Sequence, residues 1–110
     1  MTKRITLEDF AKLDLRVALV KQAERIENTK KLVKLVLDVG EETRVVVAGF
    51  ADKIAPESLM DKHVVLLANL EPKKIRGVES QGMILAAEDS SGNVYLVTVE
   101  GEPPPGSKVR

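Results

Sequence analysis

The chain has no cysteine. Disulfides, thiolate nucleophiles and Cys-ligated zinc or iron–sulfur clusters are therefore excluded. One histidine is present, His63, so no His–His metal pair can form. A Ser-His-Asp triad would have to use that same His63, which precedes an apolar run and reads as an edge or surface residue at a strand start. Aromatics are scarce: Phe10, Phe50 and Tyr95, with no tryptophan. Binders of long single strands stack successive bases on aromatic rings, each worth ~1–3 kcal/mol. With Phe10 used in packing, at most two such platforms remain. No charge of one sign prevails, since 17 Lys plus Arg balance 17 Asp plus Glu. Any nucleic-acid site must then be a local patch. No apolar run approaches the ~18 residues of a membrane span, and no charged-then-apolar leader opens the chain. No Asn-x-Ser/Thr sequon occurs, and the seven glycines form neither a phosphate loop nor a dinucleotide fingerprint. The expectation is a cytoplasmic protein with no catalytic residues, no metal and no cofactor.

What is present is 110 residues with an ordinary apolar share of 44%, the size of one domain over residues 1–110. Thr6 and Asp9 have capping-box spacing, with Ile5 and Phe10 at the staple positions, so a short helix is predicted over Leu7–Lys12. Leu13, Leu15, Val17 and Leu19 recur with a period of two, which predicts a strand. Val33, Leu35, Leu37 and Val39 do the same. Gly40-Glu41-Glu42 then turns the chain into the β-branched run Arg44–Ala48, giving a hairpin. Pro56-Glu57-Ser58-Leu59 reads as one helical turn. Val64–Ala68 and Met83–Ala87 are apolar strand candidates, and Val94–Val99 follows the turn Ser90-Ser91-Gly92-Asn93. The proline run Pro103–Pro105 excludes helix and central strand. Residues 71–82 read as a long irregular loop, a length that is usually functional or disordered. Three strands, a short helix and two more strands is the order of the five-stranded OB-fold barrel. The fold expected is all-β: that barrel, with a short N-terminal helix and an appended C-terminal strand.

Positive charge gathers in two places. Lys21, Arg25, Lys30, Lys31 and Lys34 stand against Glu24 and Glu27, and the 71–82 segment adds Lys73, Lys74 and Arg76. Acidic residues gather elsewhere, at Glu88, Asp89, Glu100 and Glu102. If the Lys30 turn and the Lys73 loop meet at one barrel rim, they form a groove for phosphates. OB-folds bind along strands two and three, where Lys34 and Arg44 fall. The plain alternative is a set of solvated edge charges.

The segments Asp9–Val17, Lys31-Leu32-Val33-Lys34-Leu35, Ala68-Asn69-Leu70 and Gly77–Ala87 resemble the tRNA-binding OB domain family. That family includes the C-terminal domain or β-subunit of methionyl-tRNA synthetases and free-standing structure-specific tRNA-binding proteins. The resemblance runs from about Thr6 to Arg110 and is most specific over Ser80–Ala87. It implies a non-catalytic module that grips tRNA by shape and backbone, raises the tRNA affinity of a synthetase, and forms homodimers. By position it implies contacts from Lys31, Arg44, Asn69, Lys73, Ser80, Gln81 and Met83, and charge and location add Lys34, Lys74 and Arg76. The cations would hold phosphates, while Asn69, Ser80 and Gln81 could bond sugar hydroxyls or base edges. Gly82 would let backbone approach closely and Met83 would offer an adaptable apolar contact. Beside these stand structural readings: Met83 beginning a core strand, Asn69 pairing loop backbone, Ser80 and Gln81 shaping the loop. Ala48 and Ala55 depart from the family's usual hydroxyl residues. A related branch, the dimeric secretion chaperones of the CsaA type, shares fold and length but binds unfolded polypeptide. Its members lack the Gln81-Gly82-Met83 pattern. Leu7, Phe10, Val94, Leu96, Val97 and Val99 lie outside a five-stranded barrel and make the expected dimer interface. The initiating Met1 and the C-terminus fit a free-standing chain, and equally an excised domain with a start codon. A catalytic synthetase subunit is a further expected partner.

Overall fold

The structure is a computed structural model that describes residues 2–110, so Met1 lies outside the described residues. The chain begins on the expected capping box. The Asp9 amide donates to Thr6 Oγ1 at 3.0 Å, and the Thr6 amide donates to the Asp9 carboxylate at 3.4 Å. The helix that follows, α1, is shorter than its spacing predicts and spans Leu7–Phe10. Asn69 draws the chain out of it. Its Nδ2 donates to the Lys12 carbonyl at 2.7 Å and its Oδ1 accepts from the Asp14 amide at 2.9 Å. α1 buries none of its residues, and Ile5 remains 67% exposed, so the staple does not take it out of water.

Among the described residues ten strands follow: β1 (Leu15–Arg25), β2 (Val33–Asp38), β3 (Thr43–Ala48), β4 (His63–Leu67), β5 (Lys73–Ile75), β6 (Val78–Ser80), β7 (Met83–Ile84), β8 (Ala86–Glu88), β9 (Val94–Leu96) and β10 (Lys108–Val109). A single 3-10 turn at Pro56–Leu59 separates β3 from β4 and buries Leu59. The main sheet has the order β3-β2-β1-β4-β7, with β10 also on β1. It is antiparallel and curls into an OB-like barrel around Ala18, Val20, Leu35, Leu37, Val46, Val64 and Leu66. β1 outruns its alternating signature because its register shifts between Val20 and Gln22. A one-residue bulge flips the side-chain phase, so Ala23 rejoins the core while Lys21 stays in water. Val17 and Val65, directly opposite each other, lie on the far face of the sheet and are also buried. The C-terminal tail runs along that part of β1: the Val17 amide donates to the Ser107 carbonyl at 2.8 Å and Leu15 pairs with Val109.

Two expectations need correcting. Residues 71–82 are no irregular loop: they hold the β5–β6 hairpin, whose tip Arg76–Gly77 has φ of 51° and 80°. Two consecutive left-handed residues make the tight turn whose twist suits paired strands. Arginine at the first of them hides the usual Asn-Gly signal. The Met83–Ala87 run is not one buried strand either. It divides at Leu85, whose amide donates to Val65 and whose carbonyl accepts from Val97. Beyond it, β8 leaves the barrel and pairs with β9, while Thr98 bridges back to Val64. The segment from Val94 is thus an addition to the barrel sheet, as its order in the chain predicts.

Candidate nucleic-acid interface

The barrel seam lies between β3 and the segment that joins β6 to β7. Backbone pairing is sparse there, and side chains complete it. The Gln81 amide donates to the Val45 carbonyl at 2.8 Å. In return the Val45 amide donates to Gln81 Oε1 at 3.1 Å, and the Val47 amide donates to Ser80 Oγ at 2.9 Å. The Ser80 hydroxyl donates onward to the Gly82 carbonyl at 3.2 Å. Ser80 is only 5% exposed. Its hydroxyl is therefore engaged inside the protein both as donor and as acceptor. Gly82 has φ of 131°, and a Cβ there would stand 2.7 Å from the Leu67 carbonyl oxygen. The close approach that needs this glycine is to the chain's own β4.

β3 is an edge strand of the main sheet, and the seam places the β5–β6 hairpin beside it. The Ile75 and Val78 pair continues the hairpin beyond Lys73 and Ser80 toward its tip. Val78 lines a cleft of about 290 Å³ together with Glu24, Arg25, Ile26, Glu27 and Lys34. So the end of β1, the outer side of β2 and the hairpin do meet at one rim. Arg25 is held there by donating to the Lys30 carbonyl, which shapes the 26–32 loop. Lys30, Lys31, Lys73, Lys74 and Arg76 are exposed and Lys34 is half-buried. Among the described residues the ion pairs are Lys12–Asp9, Arg16–Asp14 and Arg44–Glu42, so none of these six cations is neutralised by direct pairing.

Lys34 and Arg44 do not share a face. Lys34 stands opposite Val47, whereas Arg44 stands opposite the fully buried Leu37. Residues directly opposite in an antiparallel pair point the same way, so Arg44 lies on the inner side, at the barrel's end. Its guanidinium is bound to Glu42 at 2.8 Å and donates to the carbonyls of Ala68 and Gln81. Asn69 is exposed, yet both ends of its amide are engaged with Lys12 and Asp14. Met83 is 46% exposed, which removes it from the core. Register puts it in a row with Leu67 and Leu15 on the outer face of the sheet. The ten residues expected to touch RNA thus divide. Lys31, Lys34, Lys73, Lys74, Arg76 and Met83 reach solvent, and Lys34 lines the cleft. Arg44, Asn69, Ser80 and Gln81 tie elements together.

A second cleft, of about 570 Å³, escaped sequence reasoning. Arg16, Arg44, Asp14, Glu41 and Glu42 line it with Pro105 and Gly106. Arg16 is paired with Asp14 at 2.6 Å and donates to the Gly106 carbonyl. Gly40 and Gly106 pack back to back beside it, where a Cβ on either would fall about 2.5–2.6 Å from a carbonyl oxygen of the other segment. Nothing in the spacing of Arg16 and Arg44 along the chain signals this meeting. Among the described residues, no group of His, Cys, Asp and Glu is arranged to hold a metal ion. No described helix is long and apolar enough to cross a membrane.

An OB-like barrel with exposed, unpaired cations on the elements beside one cleft has a surface suited to nucleic acid. The chain belongs to the tRNA-binding domain family: the family model described as "Putative tRNA binding domain" matches residues 15–108. It is 54% identical over 106 residues to the methionine–tRNA ligase of Deinococcus radiodurans, a match that covers 96% of this chain and 16% of that protein. The chain therefore spans about a sixth of the length of such relatives. Among solved structures it is similar to a MetRS-related protein from Pyrococcus horikoshii, with a TM-score of 0.95 and 47% identity, covering 99% of this chain and 100% of that one. It is also similar to the chaperone CsaA of Bacillus anthracis, with a TM-score of 0.87 and 29% identity, covering 98% and 100%.

Proposed function

We propose that this chain is a non-catalytic module that holds tRNA by shape and phosphates and raises the tRNA affinity of a methionyl-tRNA synthetase, as its appended domain, its subunit or a free-standing auxiliary. The observation that carries this reading is the rim. Arg25, Lys34, Glu24 and Glu27 line a cleft with Val78 of the β5–β6 hairpin; that hairpin carries the exposed Lys73, Lys74 and Arg76, the 26–32 loop carries the exposed Lys30 and Lys31, and none of Lys30, Lys31, Lys34, Lys73, Lys74 and Arg76 makes a direct ion pair among the described residues. Unpaired cations are what counterion release requires. Phe50, expected to be free for stacking, is buried in the core; among the described residues the exposed Tyr95 and the half-buried Phe10 are the aromatics left, so a folded RNA read by its backbone fits better than a long single strand. A cytoplasmic location belongs with this role.

The proposed particle is a homodimer. α1 has no fully buried residue, Phe10 is half-buried and Leu7 is 83% exposed. Val94 and Leu96 pack against the barrel's own core, which moves the proposed interface toward Leu7, Phe10, Val97 and Val99. A two-fold pairing of this kind is the commonest oligomer symmetry. It would set two basic rims on one particle.

Similarity to CsaA chaperones over nearly the whole chain supports a second reading, in which the ligand is unfolded polypeptide. Filter binding with bulk tRNA and with an unfolded protein separates the two. Saturable tRNA binding with no retention of polypeptide supports the first. Polypeptide binding without tRNA binding overturns it.

A further inference from the structure

The β5–β6 hairpin carries three of the six rim cations, and it is a separate two-stranded ribbon outside the main sheet. Such a ribbon is marginal in water on its own. Lys73, Lys74, Arg76, Gly77 and Glu79 are all exposed. At its base the barrel seam supplies polar attachment. Ser80 Oγ accepts from Val47, Gln81 Oε1 accepts from Val45, and the Arg44 guanidinium reaches the carbonyls of Ala68 and Gln81 on either side of the hairpin's ends. The hydrogen bonds cross from β3 to residues 24–37 positions later in the chain.

We propose that Ser80, Gln81 and Arg44 form a clasp that fixes the basic hairpin over the rim, so that they act on RNA by positioning Lys73, Lys74 and Arg76. The inference rests on the tRNA reading and deepens it. The Ser80 hydroxyl is turned away from solvent, being buried and bonded within the protein as donor and acceptor. Gln81 is half-buried and its oxygen is taken by Val45. Arg44 is paired with Glu42 and donates to two carbonyls, which fixes its guanidinium at the seam. Releasing the clasp frees the hairpin to swing away and takes its cations off the phosphates, although Ser80 and Gln81 carry no charge themselves.

The salt dependence of tRNA binding tells positioning from contact. A neutral side chain that touches RNA contributes to affinity at every salt concentration and leaves the slope of log K against log salt unchanged. A clasp residue changes the slope, because displaced cations no longer release counterions. Gln81→Leu is the main variant, since its site is only half-buried, and Ser80→Ala is the second. The expected result is a slope reduced by about 2 for the three hairpin cations, with affinity down about tenfold or more at low salt. Amide exchange at Val45 and Val47 should accelerate in the free protein. Gln81→Glu, which keeps an oxygen acceptor for the Val45 amide beside Arg44, should restore slow exchange and return the slope to within about 1 of wild type. A fall in affinity with unchanged slope would make Gln81 a direct contact and overturn the proposal. Fast exchange at Val45 and Val47 with unaltered affinity and slope would overturn it too. Wild-type protein that fails to bind tRNA refutes the functional reading itself, an outcome distinct from wild-type binding with unaffected variants.

Discussion

Replacing Lys73 and Arg76 together by alanine isolates the electrostatic part of the rim. Both side chains are exposed and neither makes an ion pair among the described residues, so their removal leaves no partner stranded. Surface substitutions of this kind move stability by ~0.5 kcal/mol or less. Alanine at position 76 meets the same left-handed backbone, φ 51°, that arginine already tolerates. The hairpin should therefore persist. Each phosphate that goes without its cation reduces the salt slope by about 0.7–0.9, so the pair should lower it by roughly 1.5. Between 50 and 200 mM salt, log concentration rises by about 0.6, and the variant's affinity should fall about tenfold less over that range than wild type's. Filter binding at four or five salt concentrations, with urea midpoints as control, reads both quantities. Wild-type affinity and slope in the double variant would show that the hairpin cations do not face RNA, and the rim argument would fail.

Four further outcomes follow from the same geometry. Gly82→Ala should cost about 2–4 kcal/mol of stability by urea unfolding, since the new Cβ would meet the Leu67 carbonyl at 2.7 Å in a backbone conformation that disfavours side chains; a wild-type midpoint would contradict this. Met83→Ala should shift the midpoint by about 1 kcal/mol or less, because the side chain is half-exposed, while tRNA affinity falls if Met83 reaches RNA as proposed. Leu7→Glu should convert the proposed dimer to monomers in sedimentation equilibrium without unfolding it, as Leu7 touches little of its own barrel; a wild type monomeric at tens of micromolar would leave α1 without that role. Asp89 is held below the ordinary carboxylate value, first by the Asn93 side-chain amide and then by the Asn93 and Ser91 backbone amides and the Tyr95 hydroxyl. A folded value below the unfolded one gives stabilisation that is complete above about pH 4 and lost as pH falls through the folded value. Amide exchange in residues 89–93 should therefore accelerate on acidification below about pH 4 and become independent of pH there in Asp89→Asn, once the intrinsic exchange rate is divided out.

The parts of this structure that were legible in the sequence are local. The Thr6 and Asp9 capping box spans four residues, and the β2–β3 hairpin announces itself by the alternation of β2, a glycine turn and the β-branched run of β3. The β5–β6 hairpin was hidden because Lys73-Lys74-Ile75-Arg76-Gly77-Val78 has too few apolar residues to alternate and puts arginine at a left-handed position. The inner placement of Arg44 was hidden because Val45-Val46-Val47 is apolar on both faces and gives no phase. Ser80 and Gln81 could be recognised as special from their pattern, but not assigned a task. Their partners Val47 and Val45 lie more than thirty residues earlier, across a seam that exists only once the sheet has curled. The cleft shared by Arg25, Lys34 and Val78 brings the end of β1, β2 and the hairpin together, because the hairpin runs along β3 and β3 pairs with β2 at Lys34; that the cations of the two basic clusters hold one RNA is the proposal.

The central claim is that the ligand is a folded tRNA gripped by shape. The most direct measurement is a filter-binding competition between folded tRNA and a linear RNA of the same length and charge, at one fixed salt concentration. The rim geometry predicts that folded tRNA binds at least about tenfold more tightly, a difference of ~1.4 kcal/mol. Equal affinity for the two RNAs would reduce the site to a non-specific polyanion binder and contradict the claim.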